Sequence, residues 1–106
     1  MAKKLDSDLS ELIRLFDCYG TLLTDRQRDV LALYYQEDLS LSEIAAELGI
    51  TRQAVSDSLR HSEQQLTEIE EKLGLAHMLR QIRTICADES ADPELRLRVI
   101  QKIVNR

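Results

Sequence analysis

Tryptophan is absent from this 106-residue chain, and glycine, proline, phenylalanine and cysteine occur only three, one, one and two times. Each scarcity excludes something. Aromatics make up 4% and β-branched residues are sparse, so the side chains that pleated strands favour are largely missing. The helix formers Leu, Ala, Ile, Glu, Arg and Gln dominate instead, and the fold class they indicate is all-α. The glycines form no phosphate-cradling loop. Cys18 and Cys86 stand in no Cys-x-x-Cys spacing, and with His61 and His77 they make no zinc pattern. No apolar run approaches the ~20 residues of a membrane span. Met1 to Asp8 carries two lysines but not the apolar stretch of a signal peptide. The expectation is a cytoplasmic protein whose cysteines are reduced and serve packing. No catalytic constellation, metal or cofactor is implied, so the chain is not expected to be an enzyme.

Charge is scarce in one place and concentrated in another. The net charge is −5. Residues 24–66 hold four basic side chains (Arg26, Arg28, Arg52, Arg60) against eight acidic ones, whereas residues 76–106 hold six against four. An acidic middle argues against strong sequence-independent DNA binding, which depends on neutralising phosphates. The basic tail residues Arg80, Arg83, Arg96, Arg98, Lys102 and Arg106 fit the outer faces of amphipathic helices, the favoured reading, or a grip on phosphates.

Apolar periodicity divides the chain into five to six helices. Leu5, Leu9, Leu12, Phe16, Tyr19 and Leu23 form one helical stripe, predicting a helix over about 6–22. Thr24-Asp25-Arg26-Gln27 and Ser40-Leu41-Ser42-Glu43 read as capping boxes opening the second and third helices. The second buries Val30, Leu31, Leu33 and Tyr34; Tyr35 stands half-exposed and packs rather than stacking on bases. Gly49 is placed to end the third helix in a left-handed conformation, and Thr51 to cap a fourth that runs unbroken to Gly74. Val55, Leu59, Leu66, Ile69 and Leu73 form its apolar face, with Ser62 as a small step. His61, His77, Glu68, Glu70 and Glu71 read as solvated. A fifth helix follows on Leu75, Met78, Leu79, Ile82, Ile85 and Cys86. A sixth, after the Asp92-Pro93 start signal, follows on Leu97, Ile100, Ile103 and Val104. One domain spans 1–106: a core over about 24–66, then the rest of the long helix and a C-terminal extension over 67–106.

The stretch LSEIAAELGITRQAVSDSLR (41–60) meets the needs of a helix-turn-helix. Two helices that cross closely need a small residue, and Ala45 supplies it. The turn four residues on needs a positive φ, and Gly49 takes it at low cost. Ile44, Leu48, Ile50, Val55 and Leu59 lock the pair. The second helix then presents Thr51, Arg52, Gln53, Ser56, Asp57 and Arg60 outward as candidate DNA-binding residues, its amide-rich N-terminus leading. Arg52 and Gln53 have donors suited to guanine and adenine edges, and Thr51 with the amides suits phosphate.

The longer segment LLTDRQRDVLALYYQEDLSLSEIAAELGITRQAVSDSLRHSE resembles the fourth region of housekeeping sigma factors, departing at Ser58 where those carry an apolar residue. It resembles more closely the YlxM-type helix-turn-helix proteins. The resemblance rests on LFDCYGTLLTDRQ, the tandem Tyr34-Tyr35, Glu37-Asp38 before Ser40, and RQAVSDSLRHSE, and runs from about Leu15 to Leu73. It implies a sigma region-four-like fold and a bacterial regulator or accessory factor associated with signal recognition particle genes. Two functions are consistent with it. One is a transcription regulator on duplex DNA. The other is a protein or ribonucleoprotein interaction module that modulates the signal recognition particle. The apolar stripes of the first helix and of the chain beyond Leu66 exceed what a small elongated monomer covers, so a homodimer through one of these parts is expected; the rival is a closed monomer whose fifth and sixth helices fold back over the first.

Overall fold

A computed structural model describes residues 6–105. Leu5 of the first stripe, Arg106 of the basic tail and Met1 to Leu5 of the leader argument lie outside the described residues. The described chain forms α1 (Asp6–Tyr19), α2 (Asp25–Tyr35), α3 (Leu41–Leu48), α4 (Arg52–Leu73), α5 (Leu75–Ala87) and α6 (Pro93–Val104), with no strand among them.

Local chemistry sets the boundaries. α1 ends earlier than the stripe predicts, because its last turn tightens into a 3-10 turn over Gly20–Leu22, closed by Leu23 N–H donating to Gly20 O at 3.1 Å. Both capping boxes form. Gln27 N–H donates to Thr24 Oγ1 at 3.2 Å while Thr24 N–H donates to Gln27 Oε1 at 2.9 Å. Ser40 and Glu43 reciprocate in the same way at 3.1 and 2.9 Å. The Ser40 amide and hydroxyl hold the Glu43 carboxyl below the usual glutamate range. Asp92 caps α6 by accepting from Leu95 N–H, with Pro93 in the first turn.

α4 is the spine of the molecule. It packs against α1, α2 and α3, and at its far end against α5. Leu31, Ile44, Leu66, Val30 and Val55 are sealed in the core, joined by Leu15, Tyr19, Leu23, Tyr34, Leu41, Ala45 and Leu59. Ser62 is fully buried on the same helix, the small step its spacing suggests, and its hydroxyl has no hydrogen-bond partner among the described residues. Gln27 donates to Gln65 Oε1 at 3.1 Å and so ties α2 to α4. Tyr34 is buried and Tyr35 half-buried, their rings edge to face at 5.2 Å, and the Tyr35 hydroxyl donates to Glu63 of α4. Both tyrosines therefore pack, as expected.

The C-terminal helices are different. α5 lies against α1 and α4, while α6 packs chiefly on α5, and neither buries a single described residue. Cys18 is half-buried against the core, but Cys86 is exposed, so the packing role expected for both cysteines holds only for Cys18. The reason is that the stripe containing Cys86 meets no third layer. The radius of gyration is 17.2 Å and the extents are 54 × 26 × 19 Å. A compact chain of this length has a radius near ~13 Å, so the molecule is elongated.

Candidate nucleic-acid interface

The turn between α3 and α4 is built from three backbone devices. Gly49 adopts φ 68° and ψ 35°, the left-handed conformation, and its N–H reaches back to Ala45 O. Ile50 N–H donates to the same carbonyl at 3.1 Å. Ala45 is 9% exposed and belongs to the buried core that α3 and α4 share. A Cβ on Gly49 would meet nothing within 4 Å, so backbone conformation, not crowding, selects glycine there. The Thr51 hydroxyl then accepts from Ala54 N–H at 3.0 Å and starts α4. That hydroxyl still has its own proton to donate.

The six candidate residues fall together. Thr51, Arg52, Gln53, Asp57 and Arg60 are exposed and Ser56 is half-buried. Positions 52, 53, 56, 57 and 60 share one side of the helix by its 3.6-residue period. They are also bonded to one another. The Asp57 carboxylate accepts from Gln53 Nε2 at 2.9 Å and from Arg60 Nη2 at 2.8 Å. Two donors that could read bases are therefore held by an acid on the same face, with Glu43 and Glu47 of α3 exposed nearby in sequence. Each exposed bond of this kind is worth only ~0.2–1 kcal/mol, so a better partner can displace it.

Sequence reasoning missed a second cluster. The amides that open α5 follow Gly74, which sits at φ 65° and has no side chain to cap them. Tyr19 and Glu70 take over that role. The Tyr19 hydroxyl accepts from Leu75 N–H at 3.0 Å and Ala76 N–H at 3.2 Å, and donates to Glu70 Oε1 at 2.5 Å. Glu70 in turn accepts from Ala76 N–H at 3.1 Å and His77 N–H at 3.0 Å. Glu70 is thus not part of the solvated face expected of it, although Glu68 and Glu71 are exposed. Burial, followed by the Glu70 contact, pushes the Tyr19 hydroxyl above the usual tyrosine range. A helix that starts straight after a glycine, without Ser, Thr, Asp or Asn, was the available signal.

Among the described residues no cluster of His, Cys, Asp and Glu could hold a metal, and no helix is long and apolar enough to cross a membrane.

Comparison with known proteins agrees with the motif. The profile of the UPF0122 helix-turn-helix family, YlxM/p13-like, matches residues 7–105. A UPF0122 protein of Desulforamulus reducens is 61% identical over 61 residues, a match that spans 58% of this chain and about half (52%) of that protein. One from Thermoanaerobacter sp. is 38% identical over an alignment covering 93% of this chain and 92% of that protein. A third, from Symbiobacterium thermophilum, is 46% identical over 74% of each. With its helix-turn-helix and this match along nearly its whole length, the chain belongs to the YlxM/p13-like helix-turn-helix family.

Proposed function

We propose that this protein is a cytoplasmic regulator that binds duplex DNA through the N-terminal half of α4, as a homodimer. The observation that carries the reading is the exposed, one-sided array of Arg52, Gln53, Ser56, Asp57 and Arg60 behind a capped, amide-rich helix start. That is the part of a recognition helix that enters a major groove. The dimer is supported by Leu95, Leu97 and Val104, which are 53%, 56% and 53% exposed on α6. By the 3.6-residue period Leu97 and Val104 share one side of α6 and Leu95 lies on the other, so apolar side chains face water on two sides of that helix, which monomers seldom leave uncovered.

A second reading has its own support. The Asp57 clasp on Gln53 and Arg60, and the acidic balance of residues 24–66, oppose phosphate. They favour a module that meets protein or ribonucleoprotein, and the resemblance to signal recognition particle-associated proteins makes that particle the partner to test. A low-salt mobility-shift series with duplex DNA, run beside pulldown of signal recognition particle components, separates the two. Retarded duplex that is lost in Arg52→Ala supports the regulator. Capture of the particle without any duplex shift overturns it. Sedimentation at micromolar concentration tests the dimer against the 12.2 kDa monomer mass.

A further inference from the structure

The long face of α4 beyond the helix-turn-helix borders an open groove that the proposed DNA reading shares only at Arg60. It lies between α1 and α4, encloses about 710 Å³, and has Leu12 and Leu15 at its floor. Exposed Glu68 and Glu71 line it, together with Glu11, paired with Arg14, Glu63, which accepts from the Tyr35 hydroxyl, and Glu70, already engaged by the start of α5. Among the described residues that line it, the cation is Arg60, which is held by Asp57. A groove of this character takes a helix that carries a basic row.

This chain has such a helix. α6 buries none of its residues and packs chiefly on α5 through the side bearing Ile100 and Ile103. Two neighbouring rows at i, i+4 spacing stay in solvent: Leu95 with Val99, 53% and 38% exposed, and Arg98 with Lys102. The basic row meets the glutamate wall, above all exposed Glu68 and Glu71, while Leu12 and Leu15 (8% and 2% exposed) add only the rims of buried side chains. The sign asymmetry visible in the sequence, basic after residue 75 and acidic before it, is the same complementarity at the scale of the chain.

We infer that the α1–α4 groove of one copy receives α6 of a second copy, and that the exchange is reciprocal about a two-fold axis. The inference rests on the homodimer reading and assigns its interface. Reciprocity doubles the buried surface, moving it toward the ~1,200 Å² of a stable specific interface. The contact meets the exposed face of residues 52–60 at one end only, where Arg60 borders the groove.

Sedimentation equilibrium of the full chain tests it, with Arg98→Glu/Lys102→Glu, Glu68→Lys/Glu71→Lys and the four changes combined. All four positions are exposed, and circular dichroism checks that the helices persist. Each pair of reversals sets like charges against each other and is expected to weaken the dimer about tenfold or more. Combining them restores opposite charges and is expected to bring the affinity back to within about threefold. Raising salt is expected to weaken the wild-type dimer, because the facing charges are screened. A wild-type chain that stays monomeric overturns both this inference and the homodimer reading. A dimer indifferent to either reversal, or one the combination fails to rescue, overturns the groove assignment and leaves the homodimer reading standing.

Discussion

Removing the Glu70 carboxylate is expected to loosen α5 from the rest of the protein, by an amount the hydrogen bonds define. Glu70→Ala strips an acceptor from His77 N–H, one of two acceptors from Ala76 N–H, and the partner of the Tyr19 hydroxyl. Hydrogen bonds to charged groups contribute ~1.5–3 kcal/mol each when sealed, and a favourable negative charge at a helix start adds ~0.3–1 kcal/mol. The site is not sealed: Glu70 and Ala76 are half-buried and Leu75 is 43% exposed, so water can reach the stranded amides. The lower end therefore applies, and the expected loss is about 1.5–2 kcal/mol, or roughly 6–8 °C in melting temperature for a domain of this size. Tyr19→Phe keeps the ring in the core but leaves Leu75 N–H without its acceptor, and is expected to lose about 1 kcal/mol. Because the two side chains share donors, the double variant should fall short of the sum by ~0.5 kcal/mol or more. Urea unfolding gives the energies, and amide exchange at Leu75 to His77 gives the location. A Glu70→Ala loss below about 0.5 kcal/mol, or strict additivity, would refute the idea that these residues cap α5 from a distance.

Further outcomes follow from the same geometry. Gly49→Val is expected to lose at least ~1 kcal/mol although its side chain has space, because only the left-handed backbone excludes it; Gly49→Asn, measured alongside by denaturant unfolding, should lose less. Ser62→Ala should stabilise the fold by about 1 kcal/mol, since it removes a buried hydroxyl that has no partner among the described residues and raises helix propensity. In mobility shifts, Arg52→Ala should weaken duplex binding by ~1–3 kcal/mol. Asp57→Ala should strengthen it several-fold by releasing Gln53 and Arg60, so weaker binding would mean that Asp57 itself reads a base. Burial and the acidic partners Glu70 and Glu63 raise the folded pKa of Tyr19 and Tyr35 above the ordinary 10.0. The stability they carry is thus complete below pH ~10 and is lost as pH rises past it. The urea midpoint should hold from pH 8 to about 9.5 and then decline, and Tyr19→Phe should flatten the decline.

Much of this protein is local, and the sequence by itself determined that part. The two capping boxes, Gly49 at a positive φ, Thr51 at the head of α4 and Asp92-Pro93 before α6 are agreements between neighbours a few residues apart, so a linear reading suffices. The one-sided placement of 52, 53, 56, 57 and 60 follows from helical period alone, and so did the candidate interface. Only the tertiary structure could decide what depends on residues distant in the chain. Tyr19 and Glu70 are 51 residues apart, and nothing in either local pattern announces that they serve the amides of α5. Periodicity marks a stripe as apolar but not as covered: the stripes of α1 and α4 find each other and the α2–α3 pair, whereas those of α5 and α6 are left half in water. Cys86 is exposed for that reason, and Cys18 on a covered stripe is not. The clasp of Asp57 on both Gln53 and Arg60 lies between the two cases. Its spacing is legible in the chain, but the choice of partners among several exposed charges is made by the rotamers of the folded helix.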